Sequence, residues 1–192
     1  MPMLRDISLH IHDLAENSVA AGATQIDVMV CAKSDGYLYV EIQDNGCGMS
    51  EELLSRVTDP FTTSRTTRKV GMGIPFFKMA CEQASGTFQI QSEIEKGTKT
   101  CGSFQIRHID RLPLGNLGET LSMLILEKPE IRYTVTASSE QGTWVFDTDT
   151  VRDVLEDTPI QEYEVLQWIK GYVEEHTRNI FGGVLDEIIG RT

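Results

Sequence analysis

Asp13 and Asn17 stand four residues apart in "HDLAENSVAAGA", a spacing that places a carboxylate and an amide on one helix face, one turn from each other. An acid and an amide so arranged can hold a water and a magnesium ion over one phosphate. The carboxylate would act as base or water-positioner, and the amide oxygen would ligate the hard cation. The same pair would also suit a solvated polar stripe. In "DNGCGM", Asp44 closes a hydrophobic alternation and can accept a hydrogen bond from an amino group, while Gly46 and Gly48 let the backbone bend close to something flat. Asp-Asn-Gly is equally good turn chemistry.

A third stretch, "TDPFTTSRTTRKVGMGIPFF", crowds Thr62, Thr63, Ser64, Arg65, Arg68 and Lys69 ahead of Gly71 and Gly73, which open an apolar run. A helix start offers unsatisfied N–H groups and partial positive charge to phosphates. The stretch fits neither G-x-x-x-x-G-K-[ST] nor G-x-G-x-x-G, so it reads as a solvated connector or as a flexible gate over an anion. Thr98, after the glycine of "EKGT", carries no meaning by itself.

These residues need elements to position them. Leu4, Ile7, Ile11 and Leu14 recur at three- and four-residue steps, which predicts an amphipathic helix ending near Gly22. "QIDVMVCAK" and "YLYVEIQD" read as strands joined by "SDG". Ser50 with Glu51 and Glu52 marks a helix start. "GIPFFKMACEQAS" reads as a helix that tolerates Pro75 in its first turn, and residues 87–109 as a second hairpin turning at "EKG". Beyond the connector "DRLPLGNLG", the pattern predicts a helix over Glu119–Glu127 and two strands around "SSEQG". A short helix near Asp149–Glu156 and a longer one over Glu162–Phe181 follow.

Composition narrows the function classes. The 192 residues carry a net charge of −12, unevenly spread: residues 1–109 hold 10 Lys and Arg against 13 Asp and Glu, and residues 110–192 hold 7 against 16. So acidic a C-terminal part is a poor nucleic-acid surface. No acid falls between Asp59 and Glu82, which makes the Thr/Arg-rich stretch the one strongly cationic island. No apolar run suits a membrane span, and the first residues lack a signal-peptide core, so a cytoplasmic protein is expected. The four cysteines stand singly, arguing against a zinc site or disulfide framework.

In order and spacing, the four motifs together resemble the GHKL (Bergerat-fold) ATPase superfamily of gyrase, the heat-shock chaperone ATPase, histidine kinases and MutL. "LAENSVAAGATQIDV" and "IQDNGCGM" are similar to the N-box and first glycine box of MutL. "DPFTTS…GMGIPFF" followed by "GTFQIQSEIEKGT" is similar to the histidine-kinase ending. The resemblance covers about Leu4–Ile109. It implies an α+β fold, a two-layer α/β sandwich whose mixed, mostly antiparallel sheet carries helices on one face. Residues 1–109 would form the ATP-binding domain and residues 110–192 a small α+β extension.

Carried over, the resemblance implies ATP and Mg²⁺ as cofactors, with Asn17 as the metal ligand. Asp44 would bond the adenine amino group with Thr98 supporting it, Gly46 and Gly48 would pass the base and sugar, and Met49 would line the pocket. Thr62, Thr63, Ser64 and Lys69 would belong to a lid. Gly71, Met72, Gly73 and Ile74 would meet the phosphates where the next helix begins. Asp13 stands where the gyrase and MutL branch has glutamate, one methylene shorter, and would be the base. Glu16 points elsewhere around the helix, and His10 would either orient Asp13 or be a surface histidine.

A lid of about ten residues between Phe61 and Gly71 sets the chain nearer histidine kinases than MutL. Few residues precede the first helix, so a stand-alone ATP-binding protein is expected rather than a complete sensor kinase. The resemblance implies a slow ATPase or protein phosphotransferase acting in regulation. The alternative is a nucleotide-gated interaction module with little or no catalysis, similar to anti-sigma factors. A protein partner is expected in either case, with no nucleic acid and no membrane. The extension would supply the partner surface or a homodimer contact.

Overall fold

The computed structural model describes residues 4–58 and 72–182. Asp6 starts helix α1 (Ile7–Ala20) by accepting the Leu9 N–H on its Oδ1 at 2.9 Å. The side of α1 carrying Ile7, Ile11, Leu14 and Ala15 is buried, as the three- and four-residue steps require. Strands β1 (Gln25–Ala32) and β2 (Tyr37–Asp44) form an antiparallel hairpin, as do β3 (Phe88–Glu93) and β4 (Gly97–Gln105). Ser50 caps the short helix α2 (Glu51–Arg56) through the Leu53 N–H at 3.3 Å, and α3 spans Gly73–Gln83.

Beyond the connector come α4 (Leu117–Glu127), β5 (Arg132–Ser139), β6 (Gly142–Asp147), α5 (Thr148–Leu155) and α6 (Tyr163–Phe181). The strands make one sheet in the order β3-β4-β2-β1-β5-β6, antiparallel throughout except for β1 with β5. This is the mixed, mostly antiparallel sheet expected from the sequence. Its register lines up Ile90, Thr100, Ile42, Val28, Val135 and Phe146 in one row across all six strands. That side lies under the helices, and alternate residues point to the other face. There most groups are polar, with the Thr134 hydroxyl donating to Asp27 Oδ1 at 2.6 Å, although Met29, Cys31 and Val145 also fall on that face.

Phe77 of α3 is fully buried over β4, edge-on to Phe88 and Phe104 at centroid separations of 6.2 and 5.8 Å. The residues after 109 continue the same sheet and the same core. Connector carbonyls also reach the start of α1: Ile7 N–H donates to Pro113 O at 2.9 Å and Ser8 N–H to Leu114 O at 2.8 Å. Two of the amides that a helix start leaves unpaired are thereby satisfied from outside the helix. Among the described residues, no helix is long and apolar enough to cross a membrane.

Candidate functional site

A cavity of about 290 Å³ opens between α1, the ends of β2 and β4, the 45–50 loop and the start of α3. Asn17, Asp44, Gly48, Met49, Ile74 and Thr98 from the sequence reading all line it, and most of its wall is apolar. Its floor is Asp44, the last residue of β2, which is buried. Three donors hold that carboxylate. Ser18 Oγ donates to Oδ2 at 2.6 Å, and the Gly46 and Thr98 N–H groups donate to Oδ1 at 2.9 and 3.2 Å. A buried carboxylate so bonded is fixed in orientation and keeps lone pairs for a further donor.

The loop after Asp44 is shaped by the hairpin beside it. Gly48 has φ +65°, and a Cβ there would stand 2.0 Å from Glu93 O. Gly97, with φ +88°, would place a Cβ 1.9 Å from Asp44 O. Only glycine allows both the left-handed backbone and these approaches. Ser92 ties the pieces together: its Oγ accepts the Met49 N–H at 2.8 Å and lies 2.9 Å from Thr98 Oγ1.

Asn17 and Asp13 stand along α1, as their spacing requires. The Asn17 Nδ2 atom is buried without a hydrogen-bond partner among the described residues. Gly73 comes against both residues, since a Cβ there would lie 3.1 Å from Asp13 Cβ and 3.6 Å from Asn17 Nδ2. Met72 is the N-cap of α3 and makes no side-chain cap bond. Asp13 does not line the cavity but stands one turn earlier on α1. Its pKa is raised above the ordinary aspartate value, first by burial and then by the neighbouring Glu16, while His12 opposes the rise. Ligand atoms of His12, Asp13 and Glu16 lie within 4.8 Å of one another.

His10 is no surface histidine. It is buried with its ring centroid 5.9 Å from that of Phe77, and burial pushes its pKa down to about 4. The histidine whose charge bears on Asp13 is His12. Thr62, Thr63, Ser64, Lys69 and Gly71 lie outside the described residues. The sequence reading missed Ser18 and Ser92 as site residues. Ser18 is a hydroxyl on the apolar face of α1, a polar exception that could have pointed to a buried acceptor. Nothing local marks Ser92.

An Asn17 amide N–H with no partner among the described residues, a glycine cradle against it and an oriented carboxylate at the floor make this set of groups fit a nucleotide, the amide for a phosphate oxygen and the carboxylate for a ring amino group. Sensor histidine kinase CitA of Klebsiella pneumoniae is 33% identical over 78 residues, 40% of this chain and 14% of that protein. The DNA mismatch repair protein MutL of Fervidobacterium nodosum is 40% identical over 55 residues, 29% of this chain and 9% of that protein. The chain thus spans only a small part of the length of either relative. The crystal structure of the N-terminal domain of a DNA repair protein superposes with a TM-score of 0.51 at 15% identity, over 74% of this chain and 52% of that one, a likeness of fold alone. Residues 5–110, more than half of the chain, match the histidine kinase-, DNA gyrase B- and HSP90-like ATPase family, and the chain belongs to it.

Proposed function

We propose that this chain binds Mg-ATP in the cavity below α1 and turns it over slowly, by hydrolysis or by transfer to a protein acceptor in a regulatory role. The observation that carries this reading is the Asp44 carboxylate, held by Ser18, Gly46 and Thr98 so that it faces the cavity as a ready acceptor for the adenine amino group. The apolar wall, including Met49, Ile42 and Ile74, would exclude water from the base.

Asn17 would hold the cation, which when bound neutralises phosphate charge and orients the chain of oxygens. The N–H groups at the start of α3, near Gly73, would meet phosphate oxygens there. Asp13 would take the proton of the attacking water or hydroxyl, and its raised pKa makes it a stronger base than an ordinary aspartate. The basic residues of the lid, Lys69 among them, would complete the phosphate site.

Incubation of the purified chain with labelled ATP and magnesium, followed by separation of ADP and phosphoprotein, tests this reading. Asp13→Asn is expected to cut turnover on the order of 10²-fold or more while leaving ATP binding largely intact. Unchanged turnover in that variant would remove Asp13 from the chemistry. ATP at about 100 times its dissociation constant should stabilise the fold by about 2.7 kcal/mol, a rise in Tm of roughly 5–10 °C. No shift with either Mg-ATP or Mg-ADP would overturn nucleotide binding itself.

A second reading is supported by the place of Asp13 outside the cavity lining: nucleotide would gate a protein interaction, with chemistry incidental. It requires that a partner be held differently with and without ATP, and ADP production would stay at background.

A further inference from the structure

At the opposite end of the sheet from the nucleotide cavity, β6, α5 and α6 enclose a second groove of about 750 Å³. Its lining is mainly apolar and includes Val145, Val151, Val154, Leu155, Val165 and Trp168. Three of these are large side chains left open, Val154 at 79%, Val145 at 58% and Trp168 at 52% exposure. Scattered exposed apolar residues are ordinary, whereas a contiguous concave set signals an occupant. On α5 the face carrying Val151, Val154 and Leu155 buries none of the three fully, so this amphipathic helix lacks a complete apolar partner.

The surroundings of the groove give the occupant its chemistry. Asp147 and Asp149 are already paired with Arg132, and Arg152 is engaged by Asp149 and by the carbonyls of Pro129 and Ile131. Asp153, Glu156, Asp157, Glu162 and Glu164 are all exposed, and none has an ion-pair partner among the described residues. They sit on α5, on the start of α6 and on the turn between them, and Glu164 lines the groove itself. Glu164 in the lining, with Glu156, Asp157 and Glu162 next to it along the α5–α6 turn, makes this edge of the apolar floor anionic, while Asp153 falls on the outer side of α5. A second copy of this chain, itself at −12, is a poor complement to such a rim.

We propose that this groove docks a basic amphipathic helix of a partner protein, its apolar stripe seated on Val154 and Trp168 and its Lys and Arg residues facing the acidic rim. Helix-in-groove recognition needs an apolar trough of this kind, and the flanking charge sets the choice of partner and speeds encounter. The site goes beyond the nucleotide reading and is made of different residues, so its test is run without nucleotide and either reading can fail alone.

The chain supplies its own reporter. Its two tryptophans, Trp144 and Trp168, both belong to this region. Trp168 stacks on Tyr172 at 4.8 Å, and Trp144 stacks on His176 at 5.0 Å. The experiment titrates the full chain with a synthetic Lys/Leu helical peptide and follows tryptophan emission. Controls are a Glu/Leu peptide with the same apolar spacing and a Lys/Ser peptide without the apolar stripe. Saturable change with the Lys/Leu peptide alone is expected, weakened by salt, by about tenfold or more in Val154→Glu, and in the charge reversal Glu156→Lys with Glu164→Lys. Val154 is exposed, so its substitution leaves the core intact, which circular dichroism checks. No binding, equal binding of the acidic peptide, or undiminished binding by Val154→Glu would overturn the proposal. So would binding that appears only after removal of residues 183–192, or a dimer that Val154→Glu dissolves in a chain that ignores the peptide.

Discussion

The Ser18 hydroxyl reaches from the first helix to Asp44 at the end of the second strand and donates to Oδ2 at 2.6 Å, beneath the cavity floor. Across twenty-six positions of sequence, Ser18 thus helps to fix Asp44, the one carboxylate among the described residues that line the cavity. Ser18→Ala leaves a buried charged oxygen short of one donor and is expected to lower stability by about 1–3 kcal/mol. Urea denaturation at neutral pH measures this, and Ser18→Thr, which keeps the hydroxyl, should recover part of it.

Asp44→Asn keeps the size and an oxygen for the Gly46 and Thr98 N–H groups, but it replaces the second acceptor with a donor. ATP affinity should fall on the order of 10²-fold, as read by calorimetric titration. The fold should survive, because the Ser18 hydroxyl can reverse and accept from the new amide. Undiminished affinity would place the adenine elsewhere.

Gly97→Ala tests the hairpin that shapes the site. With φ at +88° and a Cβ 1.9 Å from Asp44 O, the added methyl must displace the strand end that carries the carboxylate. A loss of at least about 2 kcal/mol is expected, together with weakened ATP binding. Thermal unfolding with and without nucleotide separates the two effects.

Acid should weaken the fold through His10. Its folded pKa of about 4 lies below the unfolded value of 6.5, because burial penalises the charged ring. The unfolded chain therefore binds the extra proton first. This contribution is fully present above pH 6.5 and is lost as pH falls from there toward 4, a change of roughly 3 kcal/mol. A series of urea midpoints across that window should show it, and His10→Leu should flatten that part of the profile.

Removal of residues 110–192 should yield an aggregating chain rather than a smaller folded one. Strand β1 has β2 on one side and β5 on the other, so truncation would bare a long apolar edge carrying Ile26, Val28 and Val30. Light scattering of the truncated chain measures this, and a monodisperse truncated product would contradict it.

Helix and strand bounds were legible in the sequence where periodicity was strong. The expected helix over Glu162–Phe181 is observed as Tyr163–Phe181, and the two hairpins turn where glycine and charged residues punctuate them. Asn17, Asp44 and Thr98 could be brought together on paper because family spacing joins them, although the local signals were weak. The parallel pairing of β1 with β5 was not legible. Strands a hundred residues apart pair through tertiary packing, and neither sequence announces its neighbour. Ser92 escaped for the same reason, since its bonds to Met49 and Thr98 exist only once the hairpin stands beside the loop. His10 misled because a polar residue on a helix is ordinarily turned outward, whereas here it is buried beside Phe77.

The two carbonyls of Pro113 and Leu114 that receive the first amides of α1 have a mechanical meaning. They clamp the base of the helix on which Asp13 and Asn17 ride to the segment leading into the acidic half. A load that draws this segment away must either carry the first turn of α1 with it or strip two amides of their acceptors, at about 1–3 kcal/mol for each group left buried. Because linkage is reciprocal, a ligand whose binding depended on the placement of α1 would favour this clamped arrangement in return.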